Sequence, residues 1–217
     1  MTSPIIQDLE WRHTCKWYDP SKKVSEADLQ VIEEALQLSV SSINAQPWRF
    51  IIIESEEAKK RAEKAFVNMF QFNQRHVFDS SHLILLAYNP RYNKDDYSKV
   101  IDQDIKVGRI TEDMREQAMA ATSFIDLNTD KNGDNSKWTK AQTYIALGNL
   151  IHVLARMKID STTMEGIDAE VVNEEFKEEL GGYFCELAVA IGYRSDKDYN
   201  ENLPKSRLPM GDIIRRV

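Results

Sequence analysis

The chain of 217 residues has only two cysteines, Cys15 and Cys185, in unrelated contexts and without C-x-x-C spacing. Neither a disulfide framework nor a cysteine-based zinc site is therefore indicated, and both residues read as free thiols. Long apolar runs are also missing. The longest, Ile51 to Ile53 and Leu83 to Tyr88, fall far short of a membrane span, and the opening MTSPIIQDLEWRH lacks the apolar stretch of a secretory leader. A soluble, cytoplasmic protein with no membrane partner is expected. The formal net charge is -7, which argues against a general nucleic-acid binder, because such proteins draw their affinity from a basic face. A small anionic ligand is compatible with it. No G-x-G-x-x-G or G-x-x-x-x-G-K-[ST] follows any candidate strand, so the dinucleotide-binding Rossmann motif and the P-loop are absent. The absence of G-x-S-x-G removes the nucleophile elbow of a hydrolase. His76 and His82 are six apart, off one helical face, and His152 sits in an apolar run, so no metal site is expected. With no Pro/Gly/Ser-rich or low-complexity segment to divide it, the chain reads as one domain over residues 1–217.

Helix and strand signals are mixed along the sequence. Ser3-Pro4 followed by Ile5, Ile6 and Leu9 predicts a short helix ending near Arg12. Ser25-x-x-Asp28 resembles a capping box, and Leu29, Ile32 and Leu36 keep the 3.6-residue period to Leu38. Ser39 to Trp48 then breaks the period with small polar residues, and 49–54 reads as a strand. Further helices are expected over 56–66, over 95–124 with an interruption near Gly108, over 138–158 and over 169–180; further strands over 81–88, 161–164 and 185–191. From Tyr144 to Ala155 the long helix is apolar nearly all round, with Gly148 allowing close backbone approach, so burial on every side is expected, in a core and a dimer interface together. Without strict βαβ alternation, these elements predict an α+β sheet flanked by helices.

Two basic islands lie near opposite ends of this acidic chain: Arg12-His13-Thr14-Cys15-Lys16, and Pro204-Lys205-Ser206-Arg207. Each combines cations with hydroxyl donors and excludes carboxylates, the composition that suits a bound phosphate. For either island taken alone, scattered surface charge is the favoured explanation, because exposed Lys and Arg are ordinary. Phe72-Asn73-Gln74-Arg75-His76 adds amides able to pair with a heterocycle edge, and Met164-Glu165-Gly166-Ile167 adds a glycine where backbone can approach a ligand, or simply turn.

In order and spacing these segments resemble the FMN-dependent NAD(P)H nitroreductases, in particular the branch of oxygen-insensitive nitroreductases and NAD(P)H-flavin oxidoreductases. The resemblance runs from Arg12-His13-Thr14-Cys15-Lys16-x-Tyr18-Asp19 through Ser41-Ser42-x-Asn44-x-Gln46-Pro47-Trp48 and Phe72-Asn73 to Glu165-Gly166 and Leu203-Pro204-Lys205-Ser206-Arg207. It implies a central, mainly antiparallel sheet flanked by helices in an intertwined homodimer, with FMN bound at the interface. Arg12, His13, Thr14, Lys205 and Arg207 would hold the FMN phosphate and ribityl chain, with Cys15 in the same segment. Lys16, Asn73 and His76 would reach the pyrimidine side. Val40, Ser41, Ser42, Asn44 and Gln142 would come from the other subunit, Met164, Glu165 and Gly166 would face the flavin N5, and Lys16, Ser42, Phe70 and Phe124 would meet the substrate. The implied reaction is ping-pong, two-electron hydride transfer from NADH or NADPH through flavin N5 to nitroaromatics, quinones or free flavins, with no catalytic protein nucleophile. A flavin-binding carrier or redox-responsive protein without turnover is the alternative. Two departures from the enteric pattern bear on flavin tuning: His76 stands where a lysine is usual, and Val40 where a proline is.

Overall fold

In the computed structural model, which describes residues 3–217, the chain forms one four-stranded sheet with helices packed on both faces. The first half contains α1 (Pro4–Trp11), α2 (Glu26–Gln37), β1 (Trp48–Ile53), α3 (Glu56–Glu63), α4 (Gln74–Asp79), β2 (His82–Tyr88) and α5 (Lys94–Lys106). The second contains α6 (Arg115–Met119), α7 (Thr122–Leu127), α8 (Ser136–Met157), β3 (Asp160–Met164), α9 (Ala169–Glu175), α10 (Lys177–Leu180), β4 (Phe184–Gly192) and α11 (Met210–Ile213). The strand order is β1-β2-β4-β3, with every neighbouring pair antiparallel. This is the expected α+β class.

Local chemistry accounts for most boundaries. Pro4 opens α1, where its missing N–H costs nothing. The Ser25 hydroxyl accepts from the Asp28 N–H at 3.1 Å and donates to the Asp28 carboxylate at 2.7 Å, so this cap is a hydroxyl–carboxylate pair rather than a reciprocal capping box. The expected helix over 95–124 breaks into three. Gly108 takes φ of 77° after α5, and a short 3-10 turn at Glu112–Met114 leads into α6. The helix over 169–180 is likewise interrupted at Phe176.

The central strands β2 and β4 are almost wholly buried, as their near-continuous apolar sequences require. One sheet face packs Phe66, Val77, Leu83, Leu85, Ala188 and Phe176, beneath α3, α4 and α9. The other packs Ile84, Leu86, Leu187 and Val189 against Ile32 and Leu36 of α2 and Leu147, Leu150 and Leu154 of α8. The chain by itself does not bury α8 on every side: Tyr144 is 37% and Ile145 44% exposed, on the surface that the expected dimer interface would have to cover. An added Cβ at Gly148 would meet nothing within 4 Å, so within the chain no backbone approaches it closely. The covered surface faces α1, α2 and the sheet, and at its start the cluster of Tyr92 and Ile125 around Trp138.

Candidate functional site

The segment after α1 runs out along the edge strand β3. Thr14 bridges Ser161, the Cys15 N–H donates to the Ser161 carbonyl at 3.2 Å, and the Thr162 hydroxyl donates to the Cys15 carbonyl. An extended chain points successive side chains to opposite sides. Thr14 and Lys16 accordingly line a cavity, whereas Cys15 turns into the core with no exposure. The Cys15 side chain therefore does not line this cavity. Its thiol donates to the Trp17 carbonyl at 3.4 Å, and burial with Asp198 nearby holds its pKa far above the ordinary thiol range.

The turn following β4 folds back onto this segment through Asp198, a residue that the sequence did not single out. Its buried carboxylate accepts from the Lys16 N–H at 3.0 Å and pairs with His13 Nε2 at 2.7 Å. Asn200 donates to the Thr14 carbonyl at 2.7 Å. These contacts carry the second basic island to the first. Arg12, His13, Thr14, Lys205, Ser206 and Arg207 line a cavity of about 210 Å³, and Lys205 Nζ donates to the Arg12 carbonyl. The cations oppose one another. Burial, then Arg207, lowers the Arg12 pKa; burial, then Arg12 and Arg207, lowers that of Lys205. Arg12 Nε is buried without a hydrogen-bond partner, and no carboxylate lines the cavity. Such a cluster is stabilised by an incoming anion.

Thr14 also lines an adjoining cavity of about 510 Å³, together with Lys16, Trp17, Phe72, Asn73, Arg75, His76, Met164, Glu165, Gly166 and Tyr199. Asn73 Nδ2 donates to the Gly166 carbonyl at 3.0 Å. A Cβ at Gly166 would stand 2.8 Å from Phe72 Cζ and 3.0 Å from Asn73 Nδ2, so the glycine permits this tight wall. Phe72 lines the cavity and Phe70 does not. Tyr144 on α8 donates to Glu165 Oε1 at 2.5 Å.

His76 is 3% exposed, and its Nδ1 has no hydrogen-bond partner. Burial, then the cations Lys16 and Arg75, lower its pKa to about 4, so it is neutral at pH 7. Because the unfolded chain takes up this proton near pH 6.5 and the native state only near 4, stability declines as pH falls through 6.5 and levels off below 4. Urea unfolding should show the wild type losing roughly 2 kcal/mol more than His76→Gln between pH 7.5 and pH 5. Equal losses would place the titration elsewhere.

The remaining predicted residues form a separate group. Ser42 N–H donates to Gln142 Oε1 at 2.8 Å, and Gln46 N–H donates to Ser41 Oγ at 2.9 Å. Ile43, Asn44 and Gln46 all have positive φ, a costly conformation for a β-branched residue such as Ile43. Val40 is 71% exposed. Phe124 on α7 packs edge-on against Trp138, with ring centroids 5.8 Å apart. None of Val40, Ser41, Ser42, Asn44, Gln142 or Phe124 lines the two cavities described above.

The fold thus presents an anion cradle continuous with a ring-sized, partly aromatic chamber, an arrangement that can hold a planar group bearing a phosphate. Residues 9–193 match the nitroreductase family, and the chain belongs to that family. It is 55% identical to the major NAD(P)H-flavin oxidoreductase of Aliivibrio fischeri, covering 99% of both chains. It is 34% identical to the oxygen-insensitive NAD(P)H nitroreductase of Salmonella typhimurium, covering 98% of this chain and 99% of that one. Among solved structures, a protein of Exiguobacterium sibiricum assigned as a nitroreductase and crystallised with FMN superposes with a TM-score of 0.84 at 24% identity, covering 100% and 99% of the two chains.

Proposed function

We propose that this chain is an FMN-dependent NAD(P)H oxidoreductase that reduces free flavins, quinones or nitroaromatics. The observation that carries the reading is the continuity between the carboxylate-free Arg12/Lys205/Arg207 cradle and the chamber walled by Lys16, His76 and Gly166. The unpartnered Arg12 Nε and His76 Nδ1 fit a ligand with phosphate at one end and heterocyclic acceptors and donors at the other. Arg12, Lys205 and Arg207 would bind the phosphate. Lys16, Asn73 and His76 would meet the pyrimidine edge, and the bare Gly166 backbone would face the ring. When bound, FMN supplies the hydride-accepting and hydride-donating chemistry. Asn73 holds the Gly166 carbonyl in place, and neutral His76 adds no charge to that of Lys16 at the pyrimidine edge. The purified protein should be yellow, bleach on addition of NADH and regain colour with menadione or nitrofurazone. A yellow protein that NADH does not bleach would instead be a flavin-binding carrier.

A fixed cation stabilises the reduced, anionic flavin. Replacing neutral His76 with lysine should therefore raise the bound-flavin midpoint potential by roughly 30 mV or more, since 30 mV corresponds to about 1.4 kcal/mol for two electrons. An unchanged potential would remove His76 from the pyrimidine edge.

The proposal includes an intertwined homodimer acting in the cytoplasm, each chain forming one domain. Three features support the pairing. β1 is an edge of the sheet, Tyr144 and Ile145 leave apolar surface on α8, and Leu208, Met210, Ile213 and Ile214 are exposed along the C-terminal segment. The second copy would bring Ser41, Ser42, Asn44, Gln142 and Phe124 toward the chamber. Sedimentation should give twice the mass of the chain; a monomer retaining FMN would refute the shared site.

A further inference from the structure

Trp17 and Arg75 form a wall of the larger cavity that the proposed cofactor contacts do not use. The Arg75 guanidinium lies over the Trp17 ring, 3.0 Å from its centroid, a cation–π stack that fixes a flat, positively charged surface. Arg75 Nε is buried and makes no hydrogen bond; its nearest carboxylate, Asp79, lies 3.7 Å away, too far for one. Around the same cavity Lys16 adds a second positive charge, and His76 is neutral. The one carboxylate, Glu165, is held by the Tyr144 hydroxyl. The cavity on the other side of Trp17 is lined by Asp19, Asp79 and Asp196 as well as Lys22 and Lys197, so the excess of positive charge is on the Arg75 side.

From this arrangement we infer that the Arg75–Trp17 stack is a specificity determinant for a phosphorylated aromatic acceptor, and selects free FMN over riboflavin as the molecule to be reduced. The inference rests on the reductase reading above. The two flavins share the ring that accepts hydride and differ in the phosphate, so the difference between them reports the contact to that group. A charged guanidinium with a free donor, already immobilised against an indole, gives up little side-chain entropy in forming it. The nicotinamide donor carries phosphates too, but in a ping-pong cycle the kcat/KM of donor and acceptor are read separately.

The test measures kcat/KM for FMN, riboflavin and NADH with FMN-loaded wild type and Arg75→Gln, and titrates both oxidised holoproteins calorimetrically with free FMN and with riboflavin. The variant should lose about fivefold in the FMN-to-riboflavin ratio, in kcat/KM and in affinity alike, the size of a partly exposed charge contact. In the wild type, raising NaCl should depress kcat/KM for FMN more steeply than for riboflavin, a readout independent of whether the variant folds. An unchanged ratio, parallel salt dependences, or a loss confined to NADH would overturn the assignment. Failure of the wild type to reduce FMN or any other acceptor would remove the reductase reading itself, whereas equal losses toward both flavins would remove only the role of Arg75.

Discussion

Arg207→Ala should raise the dissociation constant for FMN by roughly tenfold to a hundredfold, the range set by about 1.5 to 3 kcal/mol for a hydrogen bond to a charged group. In the structure the guanidinium has no carboxylate partner; it donates to the adjacent Ser206 carbonyl at 2.6 Å and faces Arg12 and Lys205 across a small cavity. Truncation thus breaks no ion pair and relieves like-charge repulsion in the empty protein. Thermal stability of the FMN-free form should hold or rise while cofactor affinity falls, a pairing that general damage to the fold would not produce. Fluorescence titration of the FMN-free protein at two salt concentrations checks it, because the difference between wild type and variant should shrink as salt increases. Equal affinities would take Arg207 out of the phosphate site.

The second large effect is expected at Asp198. Its side chain is inaccessible to solvent and pairs with His13 while accepting the Lys16 N–H. Alanine would leave those donors without an acceptor and release the turn that carries Asn200 to the Thr14 carbonyl. Breaking a buried pair of this kind costs about 3 to 5 kcal/mol. For a chain of this size that is a fall in Tm of roughly 6 to 20 °C. Calorimetry of the FMN-free protein measures it without reference to activity. A fall of only a degree or two would show that the two basic islands are held together by something other than this carboxylate.

Asp198 also marks where the sequence stopped being legible. The two basic islands were readable because they exclude acids in an acidic chain, and the strands were readable from their apolar runs. Asp198 sits in Ser195-Asp196-Lys197-Asp198-Tyr199, an ordinary charged turn, and only folding distinguishes it from Asp196. Cys15 illustrates a signal that was available: in an extended segment whose alternate residues are Thr14 and Lys16, the residue between them must face the opposite side. Trp17 and Arg75, far apart in sequence, meet only because α4 is placed next to the segment leaving α1. The period of α8 was apolar nearly all round, yet periodicity cannot say whether a stripe is covered by its own chain or by another. The same limit applies to Ser41, Ser42, Asn44 and Gln142, which the chain gathers with each other and away from the cradle.

Both sulfhydryl groups lie beyond the reach of solvent, and burial pushes Cys185 up to about 12 and Cys15 higher still. Neither can offer the thiolate that peroxide or an alkylating agent attacks. An oxidoreductase built this way can work in air, where reduced flavin leaks electrons to dioxygen, without consuming its own cysteines or depending on a thiol reductant to keep them reduced.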